Sequence, residues 1–244
     1  MDQISLIAAA GMQSRMQSLD IVANNLANSS TGGYKGDNEF YTVFTSEAAN
    51  EDGPGVPTTL PMVQKHWTDF SQGLLESTSN PLDMGLQGKG FFAVAGPSGP
   101  LYTRHGSFHL SPTGTIVNAD GYALLDRTGQ SIKLTPNQPL ELSHDGTLSQ
   151  NGQALGQVQL VDFTDPGAVA KQGHSYFQNV SGKAPADAAD LQVYQGKVEA
   201  SNVSAPHGAM RLVSLTRQFE MMQKAISIAS EMGRQAIEQV AKVG

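Results

Sequence analysis

Cysteine is absent from this chain, which removes disulfides, thiol nucleophiles and cysteine-based zinc or iron sites in one step. Such a chain can work in an oxidising compartment without mispairing. Charge is scarce as well: Asp, Glu, Lys and Arg make up 15% of the 244 residues, and the net charge of -7 comes with no run of Lys or Arg. A nucleic-acid footprint needs clustered cations, and an anionic membrane would not attract this surface, so neither nucleic acid nor membrane insertion is expected. No stretch approaches the roughly 20 apolar residues of a membrane span. The opening MDQISLIAAAGMQSRM carries Asp2 in place of a basic n-region and lacks a long apolar core. It does not read as a secretory signal, so any export is expected to proceed without a cleaved one.

Catalytic constellations are missing too. The six histidines, His66, His105, His109, His144, His174 and His207, show no HExxH or comparable metal spacing. GKG at 88–90 and SGK at 181–183 lack the rest of a phosphate-binding loop and read as turns. Glu76 and Asp83 are candidate carboxylates, but only their separation would decide whether they could flank a glycosidic bond. The expectation is no catalytic residue, no metal and no cofactor.

What the chain does have is helical pattern at both ends. Met12, Met16, Leu19, Ala23 and Leu26 are spaced 4, 3, 4, 3, the seam of a coiled coil. Near the other end Leu212, Leu215, Phe219, Met222, Ile226, Ala229, Gly233, Ala236, Val240 and Val243 alternate 3 and 4 without a polar residue. The small residues Ala229, Gly233 and Ala236 would let another backbone come close. The two stripes are expected to pack on each other or on other subunits. The first helix closes on Asn24, Asn25 and Asn28, poor helix formers. Asn24 and Asn28 share a face beside the seam.

The middle is different in character. Short apolar runs, GFFAVA (90–95), TIV (115–117), YALL (122–125) and VQLVDF (158–163), are separated by turn signals PTG, ADG, RTG, HDG, QNG and DPG. SPTGTIVNADGYAL (111–124) resembles SHDGTLSQNGQAL (143–155), which suggests two related hairpins. The expected fold is mixed α and β: terminal helices paired as a coiled coil, with a central β-rich irregular sandwich or barrel. The expected division is 1–35 with 198–244 as a helical domain, 36–72 as an extended linker, and 73–197 as a β-rich outer domain. Within the linker, SEAANEDGPG (46–55) reads as a flexible loop.

Three stretches carry a resemblance. ANNLANSSTGGYK (23–35) resembles the signature of flagellar rod and hook proteins, in which a terminal helix ends A-N-N-[LI]-A-N and is followed by T-x-G-[FY]-[KR]. Residues 72–125 are similar to the family's central signature, from Q-G-x-L through G-x-G-F-F and Y-T-R-x-G-S-F to G-Y. GKVEASNVSAPHGAMRLVSLTRQFEMMQKAI (196–226) is similar to its G-x-x-E-x-S-N-V stretch and the helix that follows. Within the family the proximal rod branch is the better match, with the distal rod branch as runner-up.

The resemblance implies a subunit of the flagellar axial structure, with no enzymatic activity, that polymerises helically through its terminal helices and transmits torque. It also implies a place in the periplasmic rod of the basal body and delivery by the flagellar type III export apparatus. The implied partners are neighbouring rod subunits, with further copies of the same chain left open. Asn24, Asn25, Leu26, Ala27 and Asn28 would then form a subunit-packing motif, since a buried amide must be paired. A plainer role stays open for Asn28, that of ending the helix before Thr31. A contrasting reading is a secreted β-domain protein that binds or cleaves peptidoglycan, and a third is an export chaperone or cap that is not incorporated.

Overall fold

The computed structural model describes residues 3–243 apart from 46–58, 137, 174 and 189, with side chains undescribed in 3–10, 41–45, 59–65, 229 and 236–243. The chain divides into two units.

The first unit comprises residues 1–27, 37–69 and 204–244. Its elements are α1 (Gln3–Ala27), β1 (Asp37–Thr45), β2 (Thr59–Thr68) and α2 (Ala205–Val243). β1 and β2 pair antiparallel from Asp37 opposite Thr68 to Thr45 opposite Thr59, with a bulge at Phe40/Tyr41. This corrects the expectation of an extended linker over 36–72. Pro61, which weakens a strand reading, is tolerated because both strands of a two-stranded ladder are edges. The stretch expected as a flexible loop lies outside the described residues.

A Cβ added to Gly11 would meet Met222 Cε at 2.7 Å, and one added to Gly208 would meet Leu26 Cδ1 at 3.6 Å. α1 and α2 therefore run side by side and antiparallel over this stretch. Gly11 costs helix propensity but lets the Met222 side chain in. On α2, Leu215 is buried and Leu212, Phe219, Met222 and Ile226 are half-buried, whereas Gly233 is exposed. Ala229, Ala236 and Val240 lie outside the described side chains.

The face of α1 that one chain buries differs from the expected seam. Ser14, Ser18 and Val22 are buried, Met12 and Leu19 are half-buried, and Met16 and Ala23 are exposed. Apolar spacing misses this face because serine can be buried at little cost once its hydroxyl is paired. Ser18 Oγ lies 3.1 Å from the Ser14 carbonyl and 2.9 Å from Glu39 Oε2. Glu39, on the inward side of the hairpin, also lies 3.5 Å from Arg211 Nη2 of α2.

The second unit, residues 28–36 and 70–203, is the β body. In chain order it holds β3 (Leu75–Ser77), β4 (Met84–Gln87), β5 (Phe91–Gly96), β6 (Gly99–Thr103), β7 (Phe108–Leu110), β8 (Ile116–Asn118), β9 (Leu140–Leu142), β10 (Thr147–Gln150) and β11 (Gln153–Gln157). Then follow β12 (Leu160–Asp162), β13 (Val169–Lys171), β14 (Tyr176–Asn179), β15 (Ala186–Asp187), β16 (Gln192–Gln195) and β17 (Lys197–Glu199). Among the described residues the largest sheet has the order β13-β14-β6-β5-β12-β15. β9, β10 and β11 form a second sheet, and β7 pairs with β8. The first strands of the body close against the last, β3 on β17 and β4 on β16.

β5 explains the continuous apolar run GFFAVA. Phe92 and Val94 enter one core cluster with Met84, Phe108 and Leu148. Phe91 and Ala93 enter another with Tyr102, Val161 and Phe177. A strand buried on both faces reads as a run, not an alternation. YALL, by contrast, makes only isolated bridges, Ala123 with Val117, Leu124 with Val94 and Leu125 with Ser131.

The internal repeat is structural. Ser111 N donates to Thr115 O and Gly114 N to Ser111 O, and Ser143 N and Gly146 N repeat both bonds with Thr147 O and Ser143 O. Gly114 and Gly146 sit at φ 78° and 85°, where only glycine is comfortable. Leu134 N and Val158 N donate to the two glycine carbonyls in turn.

Candidate functional site

The segment that leaves α1 turns at once into the β body. Thr31 N donates to Asn28 O at 3.1 Å, and Tyr34 N to Thr31 O at 3.2 Å. Gly33 takes φ +66°, and a Cβ there would stand 2.3 Å from His105 N, so no other residue fits. This turn carries Tyr34 and Lys35 into the interior, where both are fully buried.

Lys35 Nζ meets Glu199 Oε1 at 2.5 Å and donates to the Ser71 carbonyl at 2.7 Å. Arg104, just past β6, places Nη1 3.2 Å from Glu199 Oε2 and donates through Nη2 to the Gly88 carbonyl at 2.6 Å. Gly73 N donates to Glu199 Oε1 at 2.8 Å. Gly33 N donates to the Glu199 main-chain carbonyl at 2.7 Å. One carboxylate at the end of β17 thus joins three remote parts of the chain. Asn202 adds to the junction: its Oδ1 accepts from Gly36 N at 2.8 Å, and its Nδ2 donates to Ser71 Oγ at 3.1 Å.

Two cations and one anion share this solvent-free space. Burial pushes the Arg104 guanidinium down from its ordinary value, and Glu199 pulls the other way. Arginine starts so high that it stays charged. Its guanidinium also stands 5.5 Å from the centre of the Phe91 ring, a favourable placement for a cation. Both Glu199 oxygens are occupied by the chain itself, so the cluster binds protein to protein and offers nothing to a substrate. Removing the shared anion leaves two buried cations uncompensated, which is far costlier than the net value of the group.

The expected packing asparagines separate here. Asn25 clasps the start of the hairpin in the first unit: its Nδ2 donates to Asp37 O at 2.7 Å and its Oδ1 accepts from Asp37 N at 2.9 Å. Asn28 is buried at the turn, with Thr31 Oγ1 3.3 Å from its Oδ1. Asn24 and Ala27 are exposed and Leu26 is half-buried.

The other candidates stay apart. Asp83 is buried and held by Asn80 and Ser107, while Glu76 is exposed on β3. His105 packs under Gly32 and its imidazole is pushed down by burial, whereas His109 is exposed. Among the described residues no cluster of His, Cys, Asp or Glu could hold a metal. No described helix is long and apolar enough to cross a membrane.

Sequence reading missed the Lys35, Arg104 and Glu199 junction although each residue lay inside a quoted block. The available signal was weak: Lys35 is the one charge of its block, but Arg104 and Glu199 share theirs with other charges, Lys197 among them.

Three family models match the chain in order. The flagella basal body rod protein model matches residues 6–35, the flagellar hook protein FlgE/F/G D1 domain model 85–154, and the flagellar basal body rod FlgEFG protein C-terminal model 194–239. The junction takes one residue from each. Among curated relatives, the flagellar basal-body rod protein FlgF of Caulobacter vibrioides is 31% identical over 244 residues, 100% of both chains. FlgF of Mesorhizobium japonicum is 31% identical over 94% of this chain and 96% of its own. FlgG of Caulobacter vibrioides is 30% identical over 92% and 94%. A match that runs end to end and joins all three signature regions in one buried cluster places the chain in a single family: it belongs to the flagellar basal-body rod proteins.

Proposed function

We propose that this rod subunit polymerises helically through α1 and α2, paired as a coiled coil, and that the β body faces outward and passes torque between the helices and its surroundings. Family membership makes the chain a structural subunit of the flagellar basal-body rod and not an enzyme. The similarity to FlgF supports a proximal position, with the distal position of FlgG as the second reading. Its neighbours are other rod subunits and further copies of itself. It reaches the periplasmic part of the basal body through the type III export apparatus without a cleaved signal.

One observation carries the mechanical part of this reading. The segment after α1 and the segment before α2 are fastened to the body at the same point, Glu199, through Lys35 and the Gly33 amide. A load entering through either terminal segment therefore reaches a charge-linked junction and not a slack loop. Ala27, exposed in the single chain, is available to neighbouring subunits, as are Met16 and Ala23 of the seam.

Mass spectrometry of purified basal bodies is the test, and the chain is expected among their stoichiometric components. Absence there, or release of muropeptides from peptidoglycan by the purified protein, would overturn the structural reading.

A further inference from the structure

A chain without cysteine offers a two-electron oxidant its methionine thioethers first. The fold sorts the methionines sharply by access. Met84 is 0% exposed inside the β body, and Met12 and Met222 are half-buried. On α2, Met210, Met221 and Met232 are 67%, 64% and 66% exposed.

Those three are not scattered. Each follows the last by 11 residues, which is three helical turns with a small drift, so they share one face of α2. At 1.5 Å per residue they span about 33 Å, so a change at all three alters the whole length of that face and not one spot. A thioether suits an apolar contact because it adapts its shape to the surface it meets. One added oxygen makes it a polar, chiral sulfoxide that accepts hydrogen bonds and resists burial.

We propose that Met210, Met221 and Met232 form a reversible oxidation site: in the free subunit a peroxide converts them to sulfoxides, and the oxidised face keeps the chain out of the rod until a thiol-dependent reductase restores it. The sulfur supplies the electron pair, the peroxide O–O bond breaks, one oxygen becomes the sulfoxide oxygen and the other leaves as water. The return step takes two electrons from a pair of thiols, which become a disulfide, and releases the oxygen as water. This chain has no thiol of its own, so the reductant is a separate enzyme. The effect on assembly rests on the rod reading above, whereas the reactivity does not.

The test has two arms. In the first, the purified full chain is treated with hydrogen peroxide, and oxygen gain at each methionine is followed by mass spectrometry of its peptides. Sulfoxide is expected at Met210, Met221 and Met232 at least about tenfold faster than at Met84. In the second, strains carry as their only copy the unaltered chain, a triple variant Met210→Leu, Met221→Leu and Met232→Leu, or a triple variant with Gln at the same positions, whose amide stands in for the sulfoxide. The Leu variant should enter basal bodies at the unaltered level, and the Gln variant at least about tenfold less. An unchanged cooperative melt of the purified Gln variant separates lost assembly from lost folding. A pulse of peroxide should lower incorporation of newly made unaltered chains and spare the Leu variant. Equal oxidation rates at the three sites and at Met84, equal incorporation of the Gln and Leu variants, or equal peroxide sensitivity of the unaltered and Leu strains overturns the inference and leaves the rod reading intact. Absence of the unaltered protein from basal bodies overturns the rod reading and the effect on assembly together, whatever the oxidation rates.

Discussion

Lys35 Nζ lies 2.5 Å from Glu199 Oε1 across 164 residues of sequence, and both side chains are fully buried. Glu199→Ala leaves two cations in a space closed to water, with the Gly73 amide unpaired. The expected cost is about 3–5 kcal/mol of stability, read as a shift in the denaturant midpoint at unchanged slope. Lys35→Met with Glu199 retained should cost less, since Arg104 still answers the carboxylate. A Glu199→Ala protein as stable as the unaltered one would remove the junction from the account.

Asn25 should matter inside the chain before it matters between chains. Asn25→Ala removes both bonds to Asp37, and the Asp37 amide should then exchange with solvent at least tenfold faster, at a stability cost of about 1–2 kcal/mol. Asn25→Asp should be worse, because a carboxylate cannot donate to the Asp37 carbonyl. Unchanged exchange at Asp37 in both variants would refute the clasp.

The body is expected to fold from residues 28–203 and not from 73–194. The shorter fragment omits Tyr34, Lys35, Phe70 and Glu199, so it loses a buried aromatic, the junction and the partner of β3. A cooperative melt for 28–203 and a broad or absent one for 73–194 is the expected calorimetric result. Equal cooperativity in both would show that the turn after α1 is an ornament of the body.

Acid should loosen the region around His105. Burial holds its folded-state value below the usual 6.5, and Asp83 and Asp120 only partly oppose this. The unfolded chain then binds the proton more readily, so stability is lost as pH falls below about 6.5. The lowered Asp126 and Asp145 carboxyls add a loss of the same sign near pH 3.8 and below. His105→Gln should flatten the melting-temperature profile between pH 7 and 5 specifically. A profile of unchanged slope in that window would argue against the buried imidazole as its cause.

The terminal helices should be dynamic in the free monomer. α1 contains Gly11 and ends in asparagines, and much of the apolar surface of α2 is uncovered in one chain. Hydrogen exchange on dilute protein should show little protection in 1–27 and 210–243 beside slow strands in the body. Protection of the helices equal to that of the strands would make them a self-sufficient pair.

Legibility in the sequence followed the physics of each element. The turn glycines, the repeated hairpins and the buried strand at GFFAVA were readable because a fixed backbone geometry demands particular residues there. The inner face of α1 was not, since Ser14 and Ser18 are buried by pairing and apolar spacing cannot register that. The β1–β2 hairpin was hidden in part by Pro61, which an edge strand tolerates. The Glu199 junction escaped for another reason: contacts across 95 and 164 positions leave no local period.

The closing of the body by its last strands also fixes an order of events in time. β3 and β4 find their partners in β17 and β16, and Lys35 and Arg104 find theirs in Glu199. Local hairpins such as β5–β6 and β7–β8 can form as soon as they appear, whereas these closures must wait for loops that span from 95 residues, for Arg104 with Glu199, to 164, for Lys35 with Glu199. A chain that emerges amino terminus first during synthesis thus keeps β3, β4, Lys35 and Arg104 unlatched until about residue 200 has appeared.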